Sequence, residues 1–171
     1  MDALIIICET FKTPFGQLAI LARQSSEVTV VGAGFGPANS LITRVKATRD
    51  SIEIANGKLP QEISSAVEKW LGGDHQAFTN VVAQQIGTSF RQECWRAMRQ
   101  VNPGETISYA ELAQKTSSPT AVRAAATACS QNLIAPIIPC HRIIKTDGSL
   151  GRYGYGAPLK AQLLAFEGLS L

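Results

Sequence analysis

The sequence predicts a mixed α/β protein of the α+β type, with a small N-terminal sheet domain that carries a helix and a C-terminal helical domain. Short apolar segments bounded by turn residues lie in the first third of the chain, and helical patterns dominate the second half. With 171 residues and 45% hydrophobic side chains, the chain can bury a substantial core. We place the boundary near residue 85, which gives domains of residues 1–85 and 86–171.

Three strands are predicted at the start of the first domain. They are the segments ALIIIC, QLAILAR and EVTVVGAGF, which begin at Ala3, Gln17 and Glu27 and suit a meander or a small mixed sheet. The first apolar run has only six residues and follows the acidic Asp2. It therefore has neither the length of a membrane span nor the basic flank of a signal peptide. We expect a cytoplasmic protein that does not enter a membrane.

Two amphipathic helices follow from apolar residues at helical spacing. The first runs from Gln61 to Leu71 in the N-terminal domain and ends at Gly72. The second runs from about Ser89 to Arg99 in the C-terminal domain, with its arginines off the apolar face. Both helices are predicted to pack one face on the core of their own domain.

A helix-turn-helix of winged-helix type is predicted next. Ser108 and Glu111 form a capping box at the start of a short helix that stops near Thr116. Ser118 can cap a second helix with Pro119 at its first position, running through the alanine-rich segment AVRAAATACS. The small side chains of this second helix allow its backbone to approach a partner closely.

Free thiols and no metal site are expected from the four cysteines. Cys8, Cys94, Cys129 and Cys140 show no CxxC spacing and no repeating interval, which argues against a disulfide framework or a four-ligand zinc site. The first three lie among apolar or small residues and are interpreted as small buried side chains. Cys140 differs because His141 follows it directly.

The segment IPCHR, residues 138–142, has the composition of a nucleophilic site. A thiol attacks well only as a thiolate, and a nearby imidazole raises the thiolate fraction. Pro139 fixes its own backbone angle and stiffens the segment, and we interpret Pro139 and Arg142 as framework around the pair. Residues 86–171 carry nine Lys/Arg against five Asp/Glu, a net +4 that suits a polyanion, whereas residues 1–85 carry seven against eight, a net −1.

The C-terminal half resembles the O6-alkylguanine-DNA alkyltransferases, whose signature is PCHR. The resemblance is carried by GTSFRQECW, PGETISYAELA, AVRAAATA, Asn132, PCHR, TDGSLGRYGYG and LKAQLLAFEG, in that order. It implies irreversible transfer of an alkyl group from guanine O6 in DNA to a cysteine sulfur, with one protein consumed per lesion. No cofactor is implied, and we expect a monomer, leaving open whether it binds DNA cooperatively.

The resemblance assigns the catalytic roles residue by residue. Cys140 matches the alkyl acceptor, His141 the base that activates it through a water, and Glu167 the carboxylate that orients the histidine. Asn132 matches the residue that holds the active-site loop, and its asparagine would also suit a left-handed helix end. Tyr109 matches the tyrosine that donates to the departing guanine.

The resemblance also implies how DNA is bound. The alanine helix, with Ala121 and Ala124, would lie in the minor groove with little sequence preference, Tyr109 would lie near the DNA, and Arg123 would replace a nucleotide rotated out of the duplex. A pocket for the extruded base is expected, and its wall would include the following residues: Pro139, Ile143, Tyr153, Gly154, Tyr155 and Gly156. Tyr155 departs from the family, which commonly has glycine there, so its ring would narrow the pocket if it points inward.

Three other functions are compatible with parts of the sequence. A cysteine hydrolase would share the Cys-His pair but would turn over many times. A helix-turn-helix regulator would prefer one operator sequence. An alkyltransferase-like protein that only binds lesions would lack the cysteine, and Cys140 argues against that reading. We rank the alkyltransferase first.

Overall fold

The computed structural model describes residues 4–171 and divides them into two compact units. The first unit extends to Ile86 and takes in Leu133–Ile137, and the second comprises Gly87–Asn132 and Ile138–Leu171. The sequence analysis kept Leu133–Ile137 in the second domain. This segment belongs to the first unit because Leu133 O accepts from Ala33 N at 2.8 Å and Ala135 N donates to Ala33 O at 3.0 Å.

The first unit is a four-stranded mixed sheet with two helices. Its strand order is β3-β2-β1-β4, with antiparallel pairing from β1 to β3 and parallel pairing of β4 with β1. The small mixed sheet predicted from the sequence is confirmed, although Ala3, where the first strand was predicted to begin, lies outside the described residues. The elements are β1 (Leu4–Thr13), β2 (Gly16–Gln24), β3 (Val28–Phe35), α1 (Ala38–Lys46), β4 (Ile52–Asn56) and α2 (Gln61–Leu71).

Helix α2 has the predicted bounds and ends at Gly72, whereas α1 and β4 were not predicted. Helix α1 buries Leu41 and Val45 and has no side-chain cap. Strand β4 is short and lies at the edge of the sheet. Leu41 and Val45 of α1 pack in one apolar cluster with Cys8, and Ile52 and Ile54 of β4 pack against it. Cys8 is 2% exposed, as predicted.

The second unit consists of helices and a two-stranded parallel ladder. The elements are α3 (Ser89–Met98), β5 (Ile107–Ser108), α4 (Tyr109–Gln114), α5 (Val122–Ser130), β6 (Ile143–Ile144) and α6 (Ala157–Phe166). Helices α3, α4 and α5 pack on one another, and the indole nitrogen of Trp95 donates to Ala128 O at 2.9 Å. Within residues 4–171, no helix combines the length and the apolar character that crossing a bilayer requires.

The helix starts of this unit match the sequence in one case and differ in the other. The capping box of α4 is confirmed, since Ser108 and Glu111 exchange their hydrogen bonds at 3.0 Å each. The predicted start of α5 at Pro119 is wrong, because the helix begins at Val122. Residues 118–121 close a turn instead, with Ala121 N donating to Ser118 O at 3.0 Å and Pro119 at the turn position that proline favours.

Candidate active site

The Cys-His pair lies on one turn of 3-10 helix, Cys140–Arg142, which we call the reactive turn. The turn is closed by Arg142 N, which donates to Pro139 O at 3.0 Å. Cys140 is 7% exposed and His141 is 2% exposed, so the turn is buried on most sides.

His141 and Arg142 meet the same carboxylate at the end of α6. The Nε2 atom of His141 lies 2.8 Å from Oε1 of Glu167. The guanidinium of Arg142 contacts both oxygens, with Nη2 at 2.8 Å from Oε1 and Nε at 3.1 Å from Oε2. Its Nη1 donates to Val101 O at 2.7 Å. The four groups form a closed network in which each charge has a partner.

The network fixes the charge and the tautomer of the histidine. Burial alone would raise the pKa of Glu167, but hydrogen bonds from His141 and Arg142 and their charges lower it to about 2. Burial lowers the pKa of His141, although its bond to Glu167 acts in the opposite direction. Arg142 neutralises the carboxylate, so the imidazole can stay neutral with its proton on Nε2. The other nitrogen, Nδ1, is buried and has no hydrogen-bond partner among the described residues.

A cavity of about 710 Å³ opens onto Cys140. This volume suits a drug-sized or nucleobase-sized ligand. Its walls come from α4, α5, the reactive turn and the glycine-rich loop that follows it. The lining residues are Tyr109, Ala126, Thr127, Cys129, Ser130, Cys140, Lys145, Gly151, Arg152, Tyr153 and Gly154.

Two of the six residues predicted for the pocket wall line this cavity, namely Tyr153 and Gly154. The other four do not line it. Pro139 precedes the reactive turn and is buried, Ile143 is fully buried in β6, and Gly156 precedes α6 with a φ of +97°. Tyr155 packs edge-on against Tyr153, with 5.5 Å between the ring centroids.

Tyr109 faces the cavity as a neutral phenol. Burial raises its pKa to about 12, and charge on Cys129 and Cys140 adds to that rise. The hydroxyl therefore stays protonated and can donate a hydrogen bond at neutral pH. Gly151 allows this placement, since its φ is +74° and a Cβ there would lie 3.1 Å from the hydroxyl oxygen.

We expect Gly151→Ala to reduce the alkyl transfer that the sequence resemblance implies, by displacing the Tyr109 hydroxyl. The methyl group meets the ring within 3.1 to 3.3 Å, and the backbone conformation at this position disfavours any side chain. A roughly tenfold lower single-turnover rate is expected, in line with the loss of one hydrogen bond worth about 1.5 kcal/mol to a charged group. Gly148→Ala is the control, because Gly148 also has a positive φ of +86° but an added Cβ meets nothing within 4 Å. Equal losses in the two variants would contradict the role of the Tyr109 contact.

Helix α5 presents small side chains to solvent beside the cavity. Arg123, Ala124, Ala126 and Thr127 are exposed, and the last two line the cavity as well. Ala121 is half-buried at the helix start. Apart from Val122 and Arg123, the exposed side chains of this helix are therefore small.

Asn132 bonds across to the segment that precedes the reactive turn. Its Nδ2 donates to Ile138 O at 2.8 Å, and the side chain is 3% exposed. The left-handed conformation considered for Asn132 is wrong, because Ser51 is the only non-glycine residue with positive φ among residues 4–171. The asparagine thus acts through its side chain, which links the end of α5 to the segment that precedes Cys140.

Three residues near the site were not assigned there by the sequence analysis. Arg142 was interpreted as framework, yet it pairs with Glu167. Lys160 is fully buried, with Nζ donating to Ile143 O at 2.5 Å and lying 5.7 Å from the centroid of the Tyr109 ring. Cys129 was interpreted as a buried side chain; it is partly buried and lines the cavity with Cys140. A lysine inside the apolar segment LKAQLLAF is the one sequence signal that could have drawn attention to Lys160.

The chain matches known proteins over both units. The family model for the DNA-binding domain of 6-O-methylguanine DNA methyltransferase matches residues 89–169. The methylated-DNA–protein-cysteine methyltransferase of Mycobacterium leprae is 32% identical over 169 residues, which cover 95% of this chain and 93% of that protein. The crystal structure of Mycobacterium tuberculosis O6-methylguanine methyltransferase matches with a TM-score of 0.75 at 26% identity, covering 95% of this chain and 92% of that one.

A further relative is the bifunctional transcriptional activator and DNA repair enzyme Ada of Escherichia coli. It is 51% identical over 81 residues, which cover 47% of this chain but only 23% of Ada, so this chain matches about a quarter of that protein's length. The matches that extend over both units define the relationship. The chain belongs to the methylated-DNA–protein-cysteine methyltransferase family.

Proposed function

We propose that the protein repairs DNA by moving an alkyl group from O6 of guanine to its own Cys140. The observation that carries this proposal is the cavity that opens onto Cys140 beside the His141–Glu167–Arg142 network. A neutral imidazole held by a carboxylate is the arrangement that activates a nucleophile. The cavity is large enough for a nucleobase, and the family relationship supplies the substrate class.

The reaction is an in-line displacement that consumes the protein. The Cys140 proton passes to Nδ1 of His141 through a water, and the thiolate sulfur attacks the alkyl carbon. A carbon–sulfur bond forms while the bond from carbon to guanine O6 breaks, and the electron pair stays on the guanine. Tyr109 donates a hydrogen bond to the departing base and stabilises that charge. The thioether on Cys140 does not hydrolyse, so each protein acts once.

DNA binding is proposed to use the exposed surface of α5. Ala121, Ala124 and Ala126 allow the helix to approach the minor groove closely, where little sequence can be read. Extruding the target nucleotide costs a few kcal/mol. Arg123 would occupy the space in the base stack and reduce that cost. We propose that one molecule acts per lesion as a monomer, in the cytoplasm, where thiols remain reduced.

The test is the intact mass of the protein after incubation with duplex DNA that contains O6-methylguanine. A gain of one methyl group, located on the peptide that carries Cys140, is expected at no more than one equivalent per protein. Undamaged DNA of the same sequence is the control. Turnover beyond one equivalent, or a methyl group on another residue, would overturn the proposal.

Arg123→Ala is expected to slow repair of duplex DNA more than reaction with the free base. The arginine is exposed on α5 and does not line the cavity, so free O6-methylguanine should react at nearly the same rate. In duplex DNA, the variant has no arginine to fill the space that the extruded nucleotide leaves in the base stack. A roughly tenfold to hundredfold slower transfer is therefore expected. Lys115→Ala removes a charge from an exposed position just after α4 and is the matched control. Equal losses on both substrates would refute the stacking role.

Tyr155→Gly is expected to raise benzyl transfer relative to methyl transfer. Tyr155 supports Tyr153, whose ring lines the cavity, so removing the support lets that wall yield to a larger adduct. Overfilling a packed site costs about 1 to 3 kcal/mol, which corresponds to roughly tenfold or more in rate. The measurement is the ratio of the rates with O6-benzylguanine and O6-methylguanine. An unchanged ratio would show that Tyr155 does not control the width of the cavity.

A further inference from the structure

Two arginines of the first unit converge on one glutamine. Nη2 of Arg23, at the end of β2, lies 3.5 Å from Oε1 of Gln84, and Nη2 of Arg49, after α1, lies 3.2 Å from Gln84 O. Both arginines are half-buried. Each therefore places a permanent charge against an uncharged acceptor, which is an unusual arrangement for a partly desolvated guanidinium.

No acid offsets these charges within the described part of the chain. Among residues 4–171, no carboxylate lies within ion-pair distance of Arg23 or Arg49. The cross-strand neighbours of Arg23 are Ile6 and Thr29, which carry no charge. The pKa of Arg49 is lowered by burial and then by the charge of Arg23, so a second cation is the nearby charge that acts on it.

A purely structural role accounts for only some of these contacts. The segment that contains Gln84 is already held to β3, because Val30 N donates to Val82 O at 2.8 Å and Gln84 N donates to Val30 O at 2.9 Å. The bond from Arg49 adds to this attachment. It does not explain why a second arginine is brought to the same glutamine, or why Nε of Arg23 is buried without a hydrogen-bond partner among residues 4–171.

We propose that Arg23 and Arg49 form a binding site for a phosphate group on the first unit, with no residue shared with the cavity at Cys140. Two guanidinium groups offer forked donors that match the oxygens of a phosphate, and the negative charge offsets their mutual repulsion. A phosphate group suits the pair better than a carboxylate, because its tetrahedral oxygens can accept from two forked guanidinium groups at once. The group can belong to a free phosphate ester or to the backbone of a nucleic acid.

The test compares Arg23→Gln and Arg49→Gln with Lys46→Gln, which removes a charge from an exposed position on α1 close in sequence to Arg49. Inorganic phosphate is titrated into each protein at constant ionic strength, and the Tm is recorded with chloride as the reference anion. Phosphate is expected to raise the Tm of the unaltered protein and of Lys46→Gln. Each arginine variant should bind phosphate about tenfold more weakly. Alkyl transfer to Cys140 from the free base confirms that each variant is folded.

A second measurement identifies the source of the phosphate. The dependence of DNA affinity on salt concentration is measured for the same proteins. If the slope of log affinity against log salt concentration is smaller by about 1 in both arginine variants but not in Lys46→Gln, the phosphate belongs to DNA. An unchanged slope with loss of the phosphate effect assigns it to a free phosphate ester. The proposal fails if the arginine variants match Lys46→Gln in both measurements. That failure would leave alkyl transfer, and with it the proposed function, untouched.

Discussion

Cys140→Ser is expected to abolish alkyl transfer while DNA binding changes little. A serine hydroxyl is ionised far less readily than a thiol, so His141 cannot generate a comparable nucleophile. The substitution removes little volume from a position that is 7% exposed, and it leaves the exposed surface of α5 as it was. We expect no methylated protein within the time in which the unaltered protein reacts completely, which corresponds to a loss of at least about 10³-fold.

The second thiol of the cavity provides a matched control for this result. Burial raises the pKa of Cys129 well above its usual range, charge on Cys140 raises it further, and Lys160 offsets only part of that rise. Cys129 should therefore remain a neutral thiol and should not accept the alkyl group. Cys129→Ser is expected to take up one methyl group on Cys140. A methyl group on Cys129 in the Cys140→Ser protein would contradict the assignment of a single acceptor.

Signals that depend on neighbouring residues were predicted well from the sequence. The capping box of Ser108 and Glu111 and the glycine stop after Leu71 are set by local hydrogen bonding and backbone conformation, and both occur as predicted. Pro119 was also a local signal, but proline suits a turn as well as a first helical position. The structure uses the turn, and α5 therefore begins at Val122.

The parts of the site that escaped prediction depend on residues distant in the chain. The role of Arg142 depends on its contacts with Glu167 and with the carbonyl of Val101, which lie 25 and 41 positions away from it in the sequence. Lys160 is accommodated because Ile143 O and Arg152 O accept from it within a buried space. Cys129 and Cys140 share a cavity only because α5 and the reactive turn fold together. Such contacts follow from tertiary packing, and periodicity and spacing do not encode them.

Glu167→Gln is expected to slow alkyl transfer on the order of 10²-fold and to destabilise the protein. The amide keeps the shape of the carboxylate but not its charge, so Arg142 loses its ionic partner in a region where the Glu167 side chain is 3% exposed. Breaking a buried pair in this way costs about 3 kcal/mol or more. Glu68→Gln, at an exposed position on α2, is the control and should change neither quantity. A transfer rate equal to that of the unaltered protein would remove Glu167 from the network.

The pH dependence distinguishes this positioning role from a purely structural one. The folded-state pKa of Glu167 is about 2, below its ordinary 4.5, so its contribution to stability is complete above about pH 4.5 and is lost as the pH falls toward 2. The difference in unfolding free energy between the unaltered protein and Glu167→Gln should shrink over that range. The charge of Glu167 also raises the pKa of His141. Its removal should therefore shift the acid limb of the pH–rate profile of alkyl transfer to lower pH. A variant that only destabilises the fold would leave that limb in place.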